Sequence, residues 1–139
     1  MYNNLPEWIQ AGIVEESQRT LKLKNGSKFS SVFGASAREC RESVDLLVVD
    51  NAAFCENIAD VWLALWPCVK PSGKVVFVSS LNNEGDWFHD LTSNKKFVDA
   101  HYSVLRWNLH PSRDIEWKKE FTRVIGRKSF ASEFECRFV

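Results

Sequence analysis

Two aliphatic runs, "VDLLVVD" (Val44 to Asp50) and "KVVFVSS" (Lys74 to Ser80), constrain the fold most tightly. Neither alternates apolar with polar, so each reads as a strand covered on both faces, as in a parallel sheet flanked by helices. Between them Ile58, Val61, Trp62, Leu65 and Val69 recur at helical spacing, and Pro71 with Gly73 punctuates the end. That intervening helix is long enough for one crossover, so strand, helix and strand predict an α/β architecture with right-handed connections. Downstream, "GDWFHDL" reads as a short helix and "FVDAHYSVLRW" as a further strand. Asp114 to Ile125 reads as a helix with Trp117, Phe121, Val124 and Ile125 on one stripe, ended by Gly126. "SFASEFECRFV" reads as a short helix running into an extended tail.

Upstream, "RTLKLKNGSKFSSVFG" is two extended runs around Asn25-Gly26, a strong hairpin signal. A two-residue loop would mix the faces. A three-residue loop, Asn25 to Ser27, pairs Leu23 with Phe29 and sets Leu21, Leu23, Phe29 and Phe33 on one face, which favours an odd loop with a glycine bulge. Before the hairpin, Leu5, Trp8 and Ile9 precede a turn at Ala11-Gly12, with nothing local to cover them.

The chain is 139 residues long, the size of one domain, and shows no internal repeat or Pro/Gly-rich linker. Eighteen basic and eighteen acidic side chains cancel, so overall charge points to neither a nucleic-acid nor a membrane partner. Cys40, Cys55, Cys68 and Cys136 lie far apart, with no C-x-x-C and no His at ligand spacing. That pattern argues for thiols in a reducing compartment rather than a zinc site or a disulfide framework. With no signal segment and no apolar run near the ~20 residues that cross a bilayer, an intracellular soluble protein is expected.

In an open parallel sheet, ligands gather at the carboxyl ends of the strands. Here one run ends in Asp50-Asn51 and the next in Ser79-Ser80. An acid at one tip and hydroxyls at a later tip is the arrangement of P-loop nucleotide hydrolases, in which the acid helps to hold Mg²⁺. The alternative is that Asp50 caps the next helix or bonds loop amides. His89, His101 and His110 are scattered and suggest no triad. The basic pairs Lys95-Lys96, Lys118-Lys119 and Arg127-Lys128 are either phosphate contacts or ordinary solubilising charge.

Five segments in order carry a resemblance to the large terminase subunit of tailed bacteriophages, the ATPase that drives DNA into capsids. They are "LPEWIQAGIVE", "LKLKNGSKFSSVFGAS", "RESVDLLVVDNAAF", "VWLALWPCVKPSGKVVFVSSLNNEGDWFHDL", and "RWNLHPSRDIEW" with "SFASEFECRF". The resemblance spans essentially the whole chain and implies the later half of a P-loop (ASCE-type) ATPase core with a β-hairpin. On it, Asp50 falls on the Walker B aspartate that coordinates Mg²⁺ through water, and Ser79 and Ser80 fall on the coupling motif. Asn51 stands where the family has its catalytic Glu. Arg41 matches a basic position that in some relatives reaches a neighbouring subunit's nucleotide as an arginine finger; a solvated helix-end charge is the other reading. ATP and Mg²⁺ are the implied cofactors. The implied partners are double-stranded DNA, portal or capsid components and other terminase subunits, in the cytoplasm of an infected bacterium, with no membrane role.

Three departures qualify what the resemblance implies. No G-x-x-x-x-G-K-[S/T] phosphate loop occurs in the chain, and the family's nuclease domain is also absent from it. An amide at position 51 cannot accept a proton at neutral pH, and loss of a positioned base costs about 10²–10⁴-fold in rate. Leu81 replaces the Pro expected after the coupling hydroxyls. The expectation is therefore a packaging-ATPase segment inactive in hydrolysis alone. The alternatives are a split half completed by a partner chain, or a non-enzymatic module that binds DNA or a capsid protein.

Overall fold

The computed structural model describes residues 2–32, 42–93 and 100–139. Its architecture is mixed α/β, with a three-stranded antiparallel sheet, a two-stranded parallel sheet and four α-helices among those residues.

The antiparallel sheet has the order β1-β2-β3, with β1 at Ile13–Glu16, β2 at Thr20–Leu23 and β3 at Lys28–Ser30. Loop parity is odd, as expected, but the loop itself is Lys24 to Gly26, one residue earlier. Leu21 therefore lies across from Phe29, and the Leu23 N–H donates to the Ser27 carbonyl at 2.8 Å. Gly26 sets this register: its φ of 86° is left-handed, so the bulge residue closes the loop and Ser27 returns to the ladder. Asn25 Oδ1 helps by accepting from the Ser27 N–H at 3.0 Å. Strand β1 carries no such signal, being four residues long with two of them Glu. As the sequence implied, Leu5, Trp8 and Ile9 are left exposed, Trp8 at 85%.

The parallel sheet pairs β4, Val44–Asp50, with β5, Val69–Val78, joined through helix α1, Ile58–Leu65. Val44 pairs with Val69 but Leu46 pairs with Lys74, so Pro71 and Gly73 lie inside β5, in a bulge, instead of ending the helix. A Cβ on Gly73 would stand 2.7 Å from Val69 Cγ1 and 2.9 Å from the Lys70 carbonyl oxygen, which is why the bulge needs glycine. Asp45 pins the same corner by accepting from Lys70 Nζ at 2.7 Å.

One face of this sheet makes the core. Val49 packs with Ala52, with Ile58, Val61 and Leu65 of α1, and with Phe88 and Leu91 of α2, which spans Trp87–Ser93. Trp62, Phe77 and Trp87 close over it with ring centroids 5.3 to 6.4 Å apart. The other face is not covered, contrary to the expectation from continuous aliphatics. Leu46, Val48, Val76 and Val78 are 42–55% exposed there. The expected strand after α2 is also not seen: residues 100–106 carry no strand, and the expected segment's start lies outside the described residues. Side chains anchor this stretch instead. Tyr102 Oη donates to the Leu91 carbonyl at 3.3 Å and Cys136 Sγ to that of Leu105 at 3.5 Å.

Helix α3, Ile115–Ile125, and helix α4, Arg127–Glu135, form a hairpin about Gly126, whose φ is 86°. Asp114 caps α3 by accepting from the Trp117 N–H at 2.8 Å. Trp117 and Phe121 of α3 meet Phe130 and Phe134 of α4 with centroids 5.4 to 6.0 Å apart, and Phe130 is 2% exposed. Val124, placed on that stripe by the sequence reading, instead points to solvent at 71% exposure. Ile125 is half-buried, and Thr122 is also partly buried.

Candidate functional site

Parallel pairing brings the two polar tips together. Asp50 is the register partner of Val78, so Asn51 and Ser79 leave adjacent strands at the same end. Beyond Asp50 the chain turns sharply: Asn51 is left-handed, with φ 57° and ψ 39°, and a 3-10 turn at Ala52–Phe54 follows. Asn enters the left-handed region more readily than a longer carboxylate side chain does. The backbone thus gives a physical reason for an amide at the position where the resemblance expects Glu.

The turn is fastened to the end of β5. Ala52 is fully buried. Ser79 Oγ accepts from the Ala53 N–H at 3.0 Å, and Asn82 Nδ2 donates to the Ala53 carbonyl at 3.3 Å. Ser80 follows, half-buried. The loop is held from its far side too, where the Ser132 hydroxyl of α4 donates to the Leu81 carbonyl and the Val139 N–H to that of Asn82 at 3.0 Å. Asn82 and Ser132 were not signalled by the sequence, since their partners lie far away along the chain. Arg41 lies outside the described residues.

Asp50 is exposed and, by strand alternation, projects on the same open face as Leu46 and Val48. It supplies a single carboxylate. Among the described residues no group of three or more His, Cys, Asp or Glu is placed to hold a metal ion. One acid and a hydroxyl already bonded to an amide fit an outer, water-mediated role toward Mg²⁺, but they lack the amides and Lys that would cradle a triphosphate. Among the described residues these groups do not by themselves make a Mg²⁺–ATP site, and no hydrolytic step is assigned to them.

Two of the basic pairs are neutralised or outside view. Lys118 Nζ donates to Glu135 Oε1 at 2.5 Å and Lys119 Nζ to Glu116 Oε1 at 2.8 Å, while Lys95 and Lys96 lie outside the described residues. The bond from Lys118 holds the Glu135 carboxyl below its ordinary value, against the opposing effect of burial, with Arg137 and Arg106 adding to the lowering. Next to it, burial pushes the Cys136 thiol up, opposed by Arg106 and the bond to Leu105. Cys55 and Cys136 are free thiols. His89 stacks edge-on against Phe138 at 4.6 Å, and the His110 ring accepts from the Ser112 N–H, so neither sits in a triad.

Among the described residues no helix is long and apolar enough to cross a membrane. No family model matches the chain.

Proposed function

We propose that the chain is a segment of a DNA-packaging motor ATPase of the phage terminase kind, carrying the acid and the coupling loop but not the phosphate cradle. The observation that carries this reading is the juxtaposition of Asp50-Asn51 and Ser79-Ser80 at the carboxyl ends of adjacent parallel strands, with the two tips joined through Ala53. In such a motor the joined tips would pass a change at the nucleotide to the loop after β5, and from there to α4. Double-stranded DNA, portal or capsid proteins and other terminase subunits would be its partners, in the cytoplasm of the infected cell. ATP and Mg²⁺ would bind once a chain with the phosphate loop completed the site.

Two measurements test the reading. Phosphate release by the chain alone should stay at background, and turnover that Asp50→Ala abolishes would overturn the claim of inactivity. Mixing in a chain that carries the G-x-x-x-x-G-K-[S/T] half of such a core should create Mg²⁺-dependent ATP binding that Asp50→Ala weakens. Binding indifferent to Asp50 would remove the Walker B assignment. A second reading, a non-enzymatic module docking on a capsid protein, draws support from the exposed aliphatic face of β4 and β5.

A further inference from the structure

The open face of the parallel sheet has charges placed at its two ends. Leu46 lies beside Lys74, Val48 beside Val76, and Asp50 beside Val78. A cation therefore stands at one end and an anion at the other, about 13 Å apart along the strands, with four half-exposed aliphatics between. Neither Lys74 nor Asp50 has an ion-pair partner among the described residues.

A face built this way is complementary to itself. A two-fold axis lying in the face and perpendicular to the strands sets aliphatics on aliphatics. It also brings Lys74 of each copy to the Asp50 end of the other, as an isologous contact requires. Parallel strands are ordinarily covered on both faces, and a two-stranded sheet open on one face lacks that cover.

We propose that the Leu46, Val48, Val76 and Val78 face is the interface of a two-fold dimer of this chain, oriented by Lys74–Asp50 pairs between the copies. A second copy is favoured over a different partner because one patch supplies both halves of the complementarity. The inference does not rest on the packaging reading, and its test contains no nucleotide.

Sedimentation velocity of the full chain at low ionic strength, where such pairs are least screened, decides it. The expected species has twice the 16.0 kDa chain mass. Lys74→Asp alone and Asp50→Lys alone each make both pairs of the interface repulsive, and each should weaken the dimer at least about tenfold. An equimolar mixture of the two variants should recover the dimer, because every pair in the mixed species is again attractive. Val48→Asp should abolish it. These side chains face solvent in the single chain, so far-UV circular dichroism should not change. If Val48→Asp nevertheless unfolds, the charge-swap mixture still decides. A monomer at every concentration, single variants that associate like the parent, or a mixture that stays monomeric would each overturn the proposal.

Discussion

The α3–α4 hairpin and the β4–β5 sheet are stabilised in opposite ways. The hairpin's core is local: Asp114 caps it, Gly126 turns it, and Trp117 and Phe121 of one helix pack on Phe130 and Phe134 of the other. The sheet gathers α1 and α2 on one side and leaves the other to solvent. Helical hairpins close with local contacts, so a short stretch of sequence suffices for one. A parallel sheet draws its neighbours from far along the chain or from another chain. The contrast teaches where this molecule is self-sufficient and where it is not.

The sharpest way to break that contrast is to delete side chains on each side of it. Phe130→Ala should cost about 3–5 kcal/mol in urea unfolding, since the ring is enclosed by two helices. Val48→Ser, measured at dilution, should stay within about 0.5 kcal/mol. If Val48→Ser proves as costly as Phe130→Ala, the sheet face is covered even in the dilute chain. A smaller effect is expected at the tip of β4. Asn51→Glu introduces a carboxylate but places it on a left-handed backbone, at a cost of about 1 kcal/mol. An unchanged urea midpoint would show that the turn relaxes to accept it.

The smallest effect concerns pH and the hairpin alone. Because the folded Glu135 carboxyl lies below its ordinary value of 4.5, its ion pair with Lys118 stabilises fully above that value. The contribution is lost as pH falls through the folded value. The Tm difference between the parent and Glu135→Gln should therefore shrink as pH drops below 4.5. A difference that does not vary with pH would assign Glu135 a packing role only.

What was legible in the sequence tracks the range of each signal. The Asp114 cap, the Gly126 stop, the odd hairpin loop and the two aliphatic strands are encoded within a few residues of where they act, and each appears. The hairpin loop lies one residue earlier than expected, which moves the register by two, because side-chain parity alone does not say whether Gly26 sits in the middle of the loop or closes it. The uncovered face was not legible, since Leu46 and Val48 look the same in sequence whether or not a second layer exists. "FVDAHYSVLRW" has strand composition, but Val104 and Leu105 are exposed, with no ladder alongside. At the candidate site, Asp50, Asn51, Ser79 and Ser80 were visible as strand ends. Asn82 and Ser132 were not, because their roles are bonds to backbone atoms brought close only by folding. Arg41 remains an expectation of the resemblance.

The fastening of Ala53 has a consequence for the timing of local opening. Its N–H and its carbonyl are both taken by the segment after β5, and that segment is also tied to the Val139 amide. The Ala53 turn cannot lift away while Ser79 and Asn82 stay in place, and Asn82 cannot withdraw without freeing Val139. Amide hydrogens near the middle and at the far end of the chain thereby belong to one cooperative unit, and would exchange with solvent on a shared clock.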